Sequence, residues 1–292
     1  MSTLDQAFIR AYQKQDQQVS TAQPAEQGRA SGHPPIAAPH IPLDPVAPDS
    51  GRVAHPPGAS APAAVETSKA PEPMLPAYEV QRFEWPDAVN RLLEDPAGYF
   101  CDYLPTLTGA TRPRSILVTG CRRGEGRTTL AMALARLAAG KLGKVALVEA
   151  DFGRPQLADQ LGIVPQAGWQ DLLFGQQPLS EALVESLAEP VTLLPATSLA
   201  FGARTARVAT RVQSVIESLV HQYALVCIDG GPWIGAAGDR RMSILDCHPM
   251  IDAALVVRDT RHSTMEDCQA VGRSLARYGI AQWDIVETFV RA

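Results

Sequence analysis

The chain has 292 residues, 46% of them hydrophobic, and a formal net charge of −5. That length fits one large domain or two small ones, and the apolar content is enough for a sizeable core. The acidic balance, without a basic stripe carrying interleaved aromatics, excludes a general attraction to nucleic acid, so no nucleic-acid partner is expected.

Five cysteines without metal-ligand spacing read as reduced thiols. No charged leader with an apolar stretch opens the chain, and no run of 18 apolar residues follows. The expected location is therefore cytoplasmic, with any membrane association coming through a partner.

Residues 1–16 read as a short amphipathic helix. Leu4, Phe8, Ile9 and Tyr12 share one face, and Thr3 with Gln6 has the form of a capping box. A helix this short is marginal alone, so it is expected to dock on a protein partner or fold back on its own domain. Residues 17–80, rich in Pro, Ala, Gln and Ser, read as a disordered linker. A tether of that kind spans on the order of 45 Å or more. Residues 81–112 carry Phe83, Trp85, Val89, Leu92, Leu93, Tyr99, Phe100, Tyr103 and Leu104 among polar positions. They are read as a helical brace of two short helices, split near Asp95-Pro96.

From residue 113 to 292 the pattern alternates. Strands are expected at 115–119, 144–149, 191–195, 223–229, 252–257 and 283–288, and helices at 127–140, 179–188, 204–221 and 263–277. Such alternation predicts an α/β fold: right-handed βαβ units and a mainly parallel sheet with helices on both faces. Ligands in such sheets bind beyond the carboxyl ends of the strands.

Three strand ends carry chemistry. The first is Gly120-Cys121-Arg122-Arg123-Gly124-Glu125-Gly126-Arg127-Thr128-Thr129, between an apolar strand and a helix. A glycine turn there lets backbone N–H groups approach phosphate, and the helix N-terminus adds positive potential. Thr128 is placed to give its hydroxyl to Mg²⁺. Arg127 stands where a phosphate loop has its lysine, which argues for binding and weakens the case for turnover. The second is Val148-Glu149-Ala150-Asp151, followed by Gly153-Arg154-Pro155. Alternation sends Glu149 and Asp151 to one face, where they are candidates to hold Mg²⁺ or accept a proton. The third is Cys227-Ile228-Asp229-Gly230-Gly231-Pro232, whose Asp229 suits a second metal-directed carboxylate.

Together these three elements resemble the deviant P-loop ATPases that include MinD and ParA. They resemble more closely the cytoplasmic domain of bacterial tyrosine kinases that control capsule and exopolysaccharide synthesis. The likeness covers about residues 112–292. Gly124 to Thr128 match the family's Gly-Glu-Gly-Lys-[Ser/Thr] loop, Glu149, Asp151, Arg154 and Pro155 its Asp-x-Asp strand with Arg-Pro, and Ile228, Asp229 and Pro232 its Walker B strand. The resemblance implies a three-layer P-loop NTPase with ATP and Mg²⁺ as ligands. Arg122, Arg123, Gly124, Glu125, Gly126, Arg127, Thr128, Thr129 and Arg154 are then the nucleotide contacts. Thr128, Asp151 and Asp229 are metal-directed, and Arg127, Glu149, Asp151 and Asp229 are the candidate catalytic set. It also implies ATP or ADP as partners, a homo-oligomer, and a membrane chain-length or export protein reached through the N-terminal helix.

The chain departs from that pattern. Arg127 replaces lysine, Arg122 replaces a signature lysine, Glu149 replaces aspartate, and no tyrosine-rich tail follows the last strand. The asparagine often used for the adenine edge is missing from Val286-Glu287-Thr288-Phe289, which leaves the base contacts unassigned. Three readings follow: an ATPase or kinase-like regulator of polysaccharide synthesis or export, a weakly active pseudo-ATPase that acts as a nucleotide-dependent binding module, or a positioning ATPase of the ParA and MinD type.

Overall fold

A computed structural model describes residues 75–94, 112–175, 177–196, 206–233, 243–247 and 249–289. The helix expected at 1–16, the linker up to residue 74 and the second half of the brace lie outside these residues. Eight strands form one sheet: β1 (Tyr78–Val80), β2 (Ser115–Gly120), β3 (Val145–Ala150), β4 (Val184–Ser186), β5 (Val191–Leu194), β6 (Leu225–Pro232), β7 (Ala253–Asp259) and β8 (Gln282–Thr288). Their spatial order is β1-β4-β5-β3-β6-β2-β7-β8. Each neighbouring pair is parallel except β4 with β5.

The central strands are buried on both faces, so they read as unbroken apolar runs. In β2 all six residues are buried. Leu117 enters one core, and Ile116 and Val118 enter the other, as the two-residue strand period requires. The Leu117 face is covered by α4 (Trp169–Phe174), α5 (Ala206–Gln222) and α6 (Met265–Arg277). The opposite face is covered by α1 (Asp87–Glu94), α2 (Arg127–Leu142) and α3 (Leu157–Gln160). This is the three-layer α/β arrangement expected from the alternating pattern.

The helices have local causes. α6 begins at a capping box, in which Asp267 N donates to Thr264 Oγ1 at 3.1 Å and Thr264 N donates to Asp267 Oδ2 at 3.0 Å. α2 is apolar around most of its circumference because it lies between the sheet and α1, whose Val89 and Leu92 enter the same core with Phe83. A polar knot closes this junction. Arg136 Nε donates to Glu189 Oε1 at 2.9 Å, Arg136 Nη1 to Asn90 Oδ1 at 2.5 Å, and Trp85 Nε1 to Glu189 Oε2.

Two expectations change. The helix read at 179–188 is a 3₁₀ turn at Leu179–Ala182 followed by β4. Its apolar spacing is real, but Val184–Ser186 finds backbone partners in β1 on one side, and β5 on the other. Tyr78–Val80, which the sequence reading put at the end of the linker, forms β1. Among the described residues no helix is long and apolar enough to cross a membrane.

Candidate phosphate-binding site

The carboxyl ends of β2, β3 and β6 converge beside the N-terminus of α2. The turn between β2 and α2 needs glycine twice: Gly124 has φ +81 and Gly126 φ +92, a region that residues with a Cβ rarely adopt. Gly126 is the N-cap of α2, so Arg127 opens the helix and Thr128 follows one residue later. A cavity of about 190 Å³ lies here, lined by Gly124, Gly126, Arg127 to Thr129, Asp151, Arg154 and Asp229, with Arg123, Gln156 and Gln160 completing its wall. A glycine turn, a helix N-terminus and several arginines surround this one cavity, an arrangement whose electrostatics suit an anion.

Arg127 is only 7% exposed. Its Nη1 donates to the Gly230 carbonyl, its Nη2 stands 3.6 Å from Asp151 Oδ2, and its buried Nε has no partner. Arg123 Nη1 approaches the same Asp151 oxygen at 3.4 Å. The Asp151 carboxylate thus sits between two guanidinium groups at the edge of the cavity.

Asp229 is 2% exposed and pairs in register with Glu149 across β6 and β3. The Thr128 hydroxyl hydrogen-bonds its side chain, while Oδ1 is buried without a partner. Burial pushes its carboxyl from the ordinary 3.8 up to about 7, against the pull of Arg127 and the Thr128 hydroxyl and with a further push from Glu149 and Asp151. The folded chain therefore holds a proton that the unfolded chain releases between about pH 4 and pH 7. Stability falls as pH rises through that window. The expected result is a melting temperature that declines between about pH 4 and pH 7, with Asp229→Asn flattening the decline.

The two remaining acidic residues of the expected site face elsewhere. Glu149 is 1% exposed. Its Oε1 accepts from Leu157 N at 2.6 Å and its Oε2 from Ala196 N at 2.8 Å. It ties the start of α3 to the segment after β5, and burial raises its pKa against the backbone N–H groups of Ala196, Leu157 and Gln156. Glu125 is equally buried. Its Oε2 accepts from Arg122 N at 2.8 Å, and its Oε1 accepts from the Ser263 hydroxyl. Thr288 Oγ1 donates to the Glu125 carbonyl at 3.2 Å. Glu125 therefore staples the loop to the ends of β7 and β8. Hydrogen bonds from Thr264, and in smaller part the charge of Arg122, hold the Asp267 carboxyl on α6 below its ordinary value.

Sequence reasoning missed the Gly230 carbonyl that receives Arg127, the glutamines at 156 and 160, and Ser263. Each is a loop or helix-end residue whose type is common at such positions, so no pattern marks it. A second cavity, also about 190 Å³, opens on the Leu117 face. Phe152, Pro232, Trp233 and Tyr278 line it, and it shares Arg123 and Asp151 with the cavity at the start of α2.

No protein-family model matches the chain, and no curated protein matches it. Solved structures do. The VpsO kinase domain superposes with a TM-score of 0.55 at 20% identity, covering 66% of this chain and 92% of that one. The chimerical protein CapA2B2 gives 0.56 at 16%, covering 75% and 96%. The kinase domain of the Escherichia coli tyrosine kinase ETK gives 0.55 at 17%, covering 70% and 76%. With the sheet order, these likenesses show that the domain shares the fold of bacterial tyrosine kinase domains.

Proposed function

We propose that the chain binds ATP with Mg²⁺ on the loop from Arg122 to Thr129 and works as an ATPase or kinase-like protein in polysaccharide synthesis or export. The observation that carries the binding is a pair of buried polar atoms without partners, Asp229 Oδ1 and Arg127 Nε. Both residues line the cavity at the start of α2. A buried polar atom left without a partner is costly, and a metal-bound phosphate chain would answer both demands at once, with cation at Asp229 and anion at Arg127.

In this reading the amides of Gly124 to Thr129 and the α2 N-terminus hold phosphate oxygens, while Arg127, Arg123 and Arg154 supply positive charge. Thr128 and Asp229, with Asp151 beside them, are the residues that would hold Mg²⁺. The metal supplies neutralisation of phosphate charge. Asp151 is the carboxylate placed to orient an attacking hydroxyl or water and take its proton, because it alone of the acidic residues lines both cavities. Glu149 keeps a structural part through its two backbone bonds. The polysaccharide context, a homo-oligomer and a protein partner for residues 1–16 follow from the family resemblance of the loop and strand motifs.

A second reading, a binding module with little hydrolysis, is favoured by one observation. The Arg127 guanidinium is engaged with the Gly230 carbonyl and Asp151, whereas a lysine has one compact ammonium to follow a transferring phosphoryl group. Turnover and phosphotyrosine assays with Mg–ATP separate the two. Steady phosphate release or phosphotyrosine supports the enzyme. A thermal shift with ATP and no turnover supports the module. Absence of both removes the nucleotide reading.

A further inference from the structure

Two thiols that the proposed site does not use meet where the loop leaves β2. Cys121 is the first residue after β2, and Cys268 is the fourth residue of α6. Both are 0% exposed, and neither is in a disulfide. Their sulfurs stand 3.5 Å apart, although the residues are 147 positions apart in the chain. A disulfide has an S–S length of about 2.05 Å, so oxidation requires a closure of about 1.5 Å.

The two ends of the pair are held differently. The first turn of α6 is fixed by its capping box, and Cys268 N donates to the Thr264 carbonyl at 3.3 Å. Cys121 leads instead into the turn whose Gly124 and Gly126 take positive φ. The next amide, Arg122 N, donates to Glu125 Oε2 at 2.8 Å, the bond that folds the turn on itself. On the other side Gly120 is tightly enclosed: a Cβ there would meet Glu125 Oε2 at 2.5 Å and the Val257 carbonyl at 2.8 Å. Drawing Cys121 toward α6 therefore strains the Arg122–Glu125 bond and displaces the amides that follow it.

We propose that Cys121 and Cys268 are an oxidation site, and that their disulfide weakens nucleotide binding by distorting the loop. The effect on binding rests on reading the loop as a nucleotide site. The oxidant class is a hydroperoxide. The Cys268 thiolate attacks one oxygen of hydrogen peroxide and the O–O bond breaks. The products are a sulfenic acid and hydroxide, which takes up the proton that Cys268 released. The Cys121 thiolate then attacks the sulfenic sulfur, the S–O bond breaks, and the departing hydroxide takes the Cys121 proton. Two thiols and one peroxide thus give one disulfide and two waters. Burial pushes both thiols up. The hydrogen bond between them pushes Cys121 further up and draws Cys268 down, with help from the Arg258 charge. Cys268 is accordingly the first to ionise, and it does so when local opening wets the pair.

The test is treatment of the full chain with hydrogen peroxide, then peptide mapping without reductant and calorimetric titration with Mg–ATP. The expected result is a Cys121–Cys268 cross-link, an ATP affinity lowered about tenfold, and recovery with dithiothreitol. Cys268→Ala binds ATP like reduced wild type and keeps that affinity after peroxide. Linkage works in both directions, so saturating Mg–ATP raises the midpoint potential of the pair by about 30 mV for a tenfold effect. Peroxide that leaves the two thiols unlinked overturns the proposal. So does a cross-linked chain that binds ATP as tightly as the reduced one, or an equal peroxide-induced loss in Cys268→Ala. The first two readouts use wild type and decide even where the variant does not fold. A reduced chain that binds no Mg–ATP brings down the loop reading and the switch together, whereas failure of the cross-link alone leaves the loop reading standing.

Discussion

Replacing Arg127 with alanine weakens Mg–ATP binding by roughly tenfold to a hundredfold, because a hydrogen bond to a charged group contributes about 1.5–3 kcal/mol and each 1.4 kcal/mol is a factor of ten. The guanidinium is almost wholly buried, lines the cavity and presents an unpartnered Nε. It also opposes the burial that raises the Asp229 pKa, so its loss leaves that carboxylate still harder to ionise and a worse metal ligand. Arg127→Lys restores a compact cation. It keeps binding and preserves or raises turnover if the site is a working ATPase. An alanine variant that binds and hydrolyses ATP like wild type shows that the loop does not hold phosphate in the way described.

Glu149→Ala destabilises the fold by about 3–5 kcal/mol, since it leaves two buried backbone donors unsatisfied at about 1–3 kcal/mol each and opens a cavity. For a domain of this size that lowers the melting temperature by about 10 °C. The donors are Leu157 N, at the start of α3, and Ala196 N, in the segment after β5. Glu149→Gln also loses stability, because its amide turns an N–H₂ toward one of two N–H groups. Thermal unfolding without nucleotide measures both. A Glu149→Gln protein with wild-type stability and no turnover would return this residue to the catalytic step.

The contrast between Glu149 and Asp151 shows what a sequence can carry. Strand alternation placed the two carboxylates on one face, and Glu149 does align with Asp229 across β3 and β6. What alternation does not contain is the convergence of two amides from Leu157 and Ala196, one of them 47 residues away. The loop itself was legible because its signals are local: an apolar run, glycines that take positive φ, then helical spacing from Leu130 onward. The sheet was legible for the same reason wherever strands are buried on both faces. β4 was not, because three residues after a 3₁₀ turn keep an apolar spacing that also suits a helix, and only pairing with β1 and β5 decides between them. β1 was hidden in a Pro-rich stretch whose composition speaks against any strand. The Arg261 and Phe289 stack joins residues 28 positions apart through the β7–β8 register, which no single-chain pattern marks.

The central question is whether Arg122 to Thr129 hold a nucleotide. Calorimetric titration of the full chain with ATP, with and without Mg²⁺, tests this most directly. The predicted result is saturable binding of one ATP per chain that strengthens with Mg²⁺, and that Asp229→Asn makes insensitive to the metal. Absence of binding heat up to millimolar ATP in both conditions would contradict it.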